Sequence, residues 1–345
     1  MGKKLDKGME MEELLRFYFI KSGYYVIRGV PFIYERFEVT DVDLWLYDRT
    51  SPISREITIV DIKNKKTAKA IERIFWVQGL KQAVKATKAV IATTDKRKEV
   101  RNFGSDLGIL VLDGNFLNKL KKIEPEMSNR LTDEDFFEKI SHYQLEKLDG
   151  DWKRKIRESK SLLAKELSFD SVNYWLGSAY FFAEHAIVKS SQKETALRCF
   201  YLVCSFISIA IDFLLKELSF LDTEERIKIL TEGFTFGSKG KIGTTALLNM
   251  STSLISQHAD EGAAISNQVR NGIERQFSNL PSPILGEFFG KNEIGKQVYS
   301  IAREFEGLAM NKNFTTHQHS STELKGMIGC LLDFWSLSRN SFDFS

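Results

Sequence analysis

Cysteine is scarce in this chain of 345 residues: there are three, Cys199, Cys204 and Cys330. An odd count without paired spacing excludes a disulfide framework and points to a reducing, cytoplasmic setting. Proline is scarce too, at five residues, and a composition of 43% hydrophobic and 28% charged residues excludes a collagen-like or disordered chain. The opening MGKKLDKGMEMEE is basic but has no apolar stretch behind it, so it does not read as a secretory leader. A membrane span needs about 20 apolar residues. The most membrane-like run, CFYLVCSFISIAI over Cys199–Ile211, has 13 and stops at Asp212. It reads as a buried helix, and no membrane association is expected. An excess of one charge sign is also missing overall, at +3, yet residues 1–120 hold 22 Lys/Arg against 16 Asp/Glu. That surplus of +6, against −3 for the remainder, is compatible with a polyanionic partner.

What is present is an ordered series of periodic segments. Residues 9–22 have helical spacing (Met11, Leu14, Leu15, Tyr18, Phe19) and stop at Gly23. YYVIRGV, 24–30, reads as a strand ending at Gly29 and Pro31. VTDVDLWLYD, 39–48, alternates, with Val42, Leu44 and Leu46 on one face and Asp41, Asp43, Trp45 and Tyr47 on the other. A strand over 56–66, a long helix over 67–87, a strand over 88–94, a helix over 96–107 and a strand over 108–114 follow. The order αβββαβαβ predicts a mixed β-sheet flanked by helices. After Pro125 the alternation stops and helical runs dominate: 133–147, 151–167, 171–188, 193–218, 223–231, 244–257, 260–277 and 323–337. The expected organisation is an α/β domain over 1–125, a helical connector over 126–150 and a mostly α-helical domain over 151–345.

The stretch ITIVDIKNKK, 57–66, sets Asp61 and Lys63 two residues apart in an otherwise apolar strand. Residues i and i+2 of a strand share a face. If the preceding strand pairs antiparallel through residues 49–55, Asp43 comes to lie beside Asp61. Two close carboxylates repel unless a cation neutralises them. A hard divalent ion such as Mg²⁺ favours such oxygen ligands, and once bound it activates water and neutralises phosphoryl charge. Lys63 would orient the water or phosphate and stabilise developing charge. A solvated salt-bridge pair at a strand end would give the same spacing.

A helix glutamate, an Asp on the second strand and an Asp-x-Lys on the third together resemble the PD-(D/E)xK nuclease superfamily. The chain is most similar there to Mrr-type restriction endonucleases and archaeal Holliday junction resolvases. The likeness rests on MEELLRFYFIKSGYYVIR (11–28), TDVDLWLY (40–47), IVDIKNKK (59–66), WVQGLKQA (76–83) and KAVIATTDKRKEV (88–100), and covers residues 8–122. It implies a restriction-endonuclease-like fold. Asp43 and Asp61 would be metal ligands, with the Ile62 carbonyl completing the shell, Mg²⁺ the cofactor and Mn²⁺ a substitute. Lys63 would be the catalytic lysine. Glu12, 11 residues before Gly23, would bind metal directly or through water, and Gln78, 15 residues after Lys63, would be the helix glutamine, with Gln82 its competitor. The likeness departs at Val42, where Pro is usual, and at Asp61, where Glu is commoner; Asp41 is a rival carboxylate.

Lys65, Lys66, Lys69 and Arg73 are placed to hold backbone phosphates beside such a site, though a basic run after a strand is also a solvated face. Phe75 and Trp76 read as core. GFTFGSKGKIGTT, 233–245, fails the P-loop pattern because Thr235 stands where its first Gly belongs and Ile242 follows Lys241; it reads as a flexible loop. HQH, with His317 and His319, reads as a polar loop. The expectation is a Mg²⁺-dependent endonuclease acting on DNA, of the kind used in restriction or phage defence. Its helical domain would serve recognition, a protein partner or homo-oligomerisation. The alternatives are a nuclease-like fold that binds nucleic acid or protein without cutting, and a helical interaction protein.

Overall fold

A computed structural model describes residues 6–63, 69–122, 129–142, 150–188 and 190–343. The first third is α1 (Lys7–Lys21), β1 (Tyr25–Tyr34), β2 (Phe37–Arg49), β3 (Arg55–Lys63), α2 (Ala70–Ala83), β4 (Lys88–Thr93), α3 (Lys98–Asp106), β5 (Ile109–Leu112) and α4 (Gly114–Leu120). The strands form one sheet in the order β1-β2-β3-β4-β5. The first three meander antiparallel, and β3, β4 and β5 are parallel through helical crossovers. The mixed sheet flanked by helices is therefore as expected.

Helix α1 starts where the Asp6 carboxylate accepts the amides of Gly8 and Met9. Its apolar stripe, Met11, Leu14, Leu15 and Phe19, packs with Val26, Leu44, Leu46, Val60, Ile62, Val90 and Ala92 on one sheet face. The other face carries Tyr25, Ile27, Trp45, Tyr47, Ile59 and Ile91, together with Ile74 and Val77 of α2. Two expectations change at Gly29. β1 does not end there but continues through Pro31 to Tyr34. Proline is tolerated because β1 is the sheet edge, where a missing N–H need not cost a ladder bond. Gly29 adopts φ 59°, a region open to glycine. Alternation slips at this step, so Ile27 and Val30, three apart, share a cluster. Across from them Val42 joins Trp45 and Tyr47 rather than Leu44 and Leu46.

The remainder is helical: α5 (Asp133–Ser141), α6 (Trp152–Leu163), α7 (Phe169–Val188), α8 (Lys193–Leu218), α9 (Thr223–Phe236), α10 (Gly240–His258), α11 (Gly262–Asn279), α12 (Ser282–Gly290), α13 (Asn292–Met310), α14 (Thr322–Phe334) and α15 (Arg339–Asp343). The apolar run 199–211 lies in α8, which is long and apolar enough to cross a membrane but is mostly buried among the other helices. All three cysteines are free and buried.

Residues 233–245 are not a loop. α9 and α10 meet there through a tight turn at Gly237, whose φ is 69°. A Cβ on Gly237 would come within 2.2 Å of Asp170 Oδ1, which accepts the Ser238 amide at 2.9 Å. Within HQH, a short 3₁₀ turn, His317 is buried against Tyr201, whose hydroxyl lies 2.9 Å from Nδ1, while Gln318 and His319 are exposed. Phe75 and Trp76 are 61% and 43% exposed, against the expectation of core, because α2 buries Ile74 and Val77 instead.

The α/β part and the helices share one core. Tyr25, Trp45 and Tyr47 belong to the same cluster as Trp152, Trp175, Phe182 and Phe206. Charge crosses the same boundary. Asp212 of α8, fully buried, accepts Tyr47 Oη at 2.7 Å and meets Arg49 Nη1 at 3.1 Å and Arg55 Nη2 at 3.2 Å. Removing one member of such a group strands the others without solvent. Asp212→Ala is expected to lower the free energy of unfolding by about 3–5 kcal/mol in urea titration. A loss below about 1 kcal/mol would show that the two arginines find other partners.

Candidate active site

The register Leu44↔Val60 of β2 and β3, carried one step further, sets Asp43 opposite Asp61. Asp43 Oδ2 accepts the Ile62 amide at 2.6 Å, which fixes the carboxylate across the strand pair. Lys63 stands on the same side of β3 as Asp61, and its Nζ is 3.9 Å from Asp43 Oδ2 and 3.7 Å from Asp61 Oδ1. The three side chains singled out in the sequence therefore converge on one point. Asp43 and Lys63 open into a cleft of about 1220 Å³ walled by α1, β1, β2, α5 and α6.

Burial pushes Asp43 up to about 7. Lys63 and the Ile62 amide pull it down, while Asp61 and Glu12 push it further up. A carboxyl withdrawn from water resists ionisation, and here the nearby cation does not offset that cost. Asp61 is differently placed. It is buried, and Arg73 of α2 forks it, with Nε 3.0 Å from Oδ2 and Nη2 on Oδ1. The Arg73 guanidinium also lies 5.4 Å from the Trp76 ring centre. Arg73, expected to hold phosphate, thus neutralises a predicted metal ligand.

Glu12 lines the cleft and receives Arg28 Nε at 2.7 Å. Arg28 Nη1 meets Glu13 at 3.0 Å and Glu134 of α5 at 2.7 Å. Behind it Arg16 joins Asp133 at 2.8 Å and Glu306 of α13 at 3.1 Å. Burial alone would raise Asp133, but Lys160, Arg16 and Arg28 hold it well below the usual carboxylate range. Gln78 does not line the cleft. Its Oε1 is buried without a hydrogen-bond partner, and the competitor Gln82 is exposed. Lys69 is solvated and pairs with Glu72 at 3.1 Å. Lys65 and Lys66 lie outside the described residues. Asp41, the rival carboxylate, lines the same cleft.

Among the described residues no group of three or more His, Cys, Asp or Glu side chains is arranged as a metal site. The donors nonetheless suit a hard cation in kind. Asp43 and Asp61 supply carboxylate oxygens, Ile62 a neighbouring carbonyl and Glu12 a further carboxylate. Use of Asp61 requires Arg73 to let go.

Sequence reasoning missed the contribution of α6. Lys153, Arg154, Arg157 and Lys160 all line the cleft, yet they lie far along the chain from Asp43. Their spacing within WKRKIRESK was the available signal. Compared with known proteins, the chain matches no family model, no curated protein and no solved structure.

The folded state holds the Asp43 proton between the ordinary carboxylate value of 3.8 and about 7, where the unfolded chain has released it. This group's contribution to stability therefore falls as pH rises through that window. Asp43→Asn keeps an acceptor for the Ile62 amide and removes the titration. Without divalent cations, wild type should lose stability relative to Asp43→Asn between pH 5 and pH 8. Denaturation at both pH values checks this, and an unchanged difference would contradict it.

Proposed function

We propose that this chain is a metal-dependent nuclease that hydrolyses phosphodiester bonds of DNA. The observation that carries the reading is the placement of Lys63 Nζ, 3.9 Å from one carboxylate and 3.7 Å from the other, in the lining of a cleft large enough for a polymer segment. The likeness of residues 8–122 to the PD-(D/E)xK superfamily supports it. A divalent cation held by Asp43 and Asp61, with Glu12 and the Ile62 carbonyl beside them, would supply an acidified water and polarise a phosphoryl oxygen.

The chain's own groups have separate tasks. The Asp43 carboxylate, fixed by the Ile62 amide, lines the cleft. Lys63 donates to the non-bridging oxygen on which charge grows during attack at phosphorus. Arg73 moves from Asp61 to the approaching phosphate, so that ligand and substrate exchange a cation between them. The Arg28 network holds Glu12 and keeps the α1 wall of the cleft in place.

A second reading, a nuclease-like fold that binds without cutting, is favoured by the fork of Arg73 on Asp61. The two readings separate on incubation with plasmid and with single-stranded DNA, in Mg²⁺ or Mn²⁺ and in EDTA. Nuclease action predicts cleavage that EDTA abolishes and that Lys63→Ala slows by about 10²–10³-fold. Cleavage indifferent to EDTA and to Lys63→Ala would overturn the reading. Binding without cleavage in either metal, unaltered by Asp43→Ala, would favour the second.

A further inference from the structure

Helix α6 is anchored on one side and cationic on the other. Trp152, Ile156 and Leu163 are buried, and Lys160 Nζ donates to the Arg28 carbonyl at 2.9 Å and pairs with Asp133. Lys153, Arg154 and Arg157 face the cleft that holds Asp43 and Lys63. Most of the acids around that cleft are already engaged. Glu12 and Glu134 sit on Arg28, Asp133 sits on Arg16 and Lys160, and Asp6 and Asp151 cap α1 and α6. Asp41 and Asp43 remain to face Lys63 and the three α6 cations.

Arg154 and Arg157 are held by exposed pairs, which are weak. Arg154 lies 3.9 Å from Glu158, and Arg157 pairs with Glu38, whose register partner is Ile33, next to the turn of the β1–β2 hairpin. At the tip of that hairpin Tyr34 and Phe37 are register partners, 63% and 73% exposed. Exposed aromatic rings at the tip of a hairpin that Arg157 reaches through Glu38, and a row of cations on a helix, are the two elements that bind unpaired nucleic acid. Cations track the backbone, and rings stack on bases. Lys153 and Arg157 are one turn apart, about 6 Å along the axis, a step that suits successive phosphates of an extended strand.

We propose that Lys153, Arg154 and Arg157 of α6, with Tyr34 and Phe37 of the β1–β2 hairpin, form a track that binds single-stranded nucleic acid and leads it to Asp43 and Lys63. The assignment of that destination rests on the nuclease reading above; the track itself does not. Arg157 exchanges Glu38 for a phosphate, and the released glutamate stays at the cleft rim, in water.

The test is binding of a labelled oligothymidylate to the full chain in EDTA, by fluorescence polarisation across salt concentrations. Each lost phosphate contact lowers the slope of log affinity against log salt by about 0.7 for a single strand. The combined variant Lys153→Gln, Arg154→Gln, Arg157→Gln should lower it by about 2. The charge-preserving set Lys153→Arg, Arg154→Lys, Arg157→Lys should leave it unchanged, which separates lost charge from lost folding. Tyr34→Ala with Phe37→Ala should weaken binding about tenfold or more at unchanged slope. Wild-type affinity and slope in the glutamine set, or wild-type affinity in the aromatic pair, would overturn the track. Failure of the nuclease reading would look different: strand binding with these dependences, but no cleavage in Mg²⁺ or Mn²⁺.

Discussion

Charge taken out of water must be matched by opposite charge, and this constraint shapes both ends of the β2–β3 ribbon. At one end Asp212 leaves α8 to meet Arg49, Arg55 and Tyr47. At the other Asp43 and Asp61 share Lys63, and Arg73 forks Asp61. In the first cluster Asp212 and Arg55 are buried, Arg49 is partly exposed, and every charge is answered from within the protein. The second lines a cleft, and there burial, with Lys63 and the Ile62 amide pulling the other way, pushes Asp43 up to about 7. The same ribbon thus carries two ion clusters, one between the sheet and α8 and one lining the cleft.

A third charge cluster joins the site to the helices. Arg28 ties Glu12 and Glu13 of α1 to Glu134 of α5, and Arg16 ties Glu13 to Asp133 and to Glu306 of α13. Lys160 of α6 closes onto Asp133 and the Arg28 carbonyl. Together with the shared core of Trp45, Trp152 and Trp175, this makes the helical part a wall of the cleft rather than an appendage. The buried pairs need not add net stability. Their geometry specifies how α5, α6 and α13 meet the sheet, and so where the α6 cations stand relative to Asp43.

Much of this was legible in the sequence where a local rule applies. Alternation in 39–48 and the run at 57–62 located β2 and β3, and i, i+2 spacing put Asp61 and Lys63 on one side. Antiparallel pairing then brought Asp43 to them. What depends on distant residues was not legible. Arg73 on Asp61 requires knowing how α2 rolls on the sheet, and the face change at Val42 depends on the backbone of Gly29 across the ladder. The shared core was hidden because an apolar helix face does not say which surface covers it. α13, by contrast, had a readable stripe in Val298, Ile301, Ala302, Phe305 and Ala309 and went unassigned. Residues 233–245 misled because glycines at a helix junction look the same as glycines in a loop.

The account turns on whether the Asp43–Asp61 pair accepts a divalent cation when Arg73 releases it. Crystals of the chain soaked in Mn²⁺, with anomalous diffraction recorded for the metal, test this directly. The account predicts an anomalous peak coordinated by both carboxylates, with the Arg73 guanidinium moved off Asp61. An intact Arg73–Asp61 fork with no metal between residues 43 and 61 at saturating Mn²⁺ would contradict it.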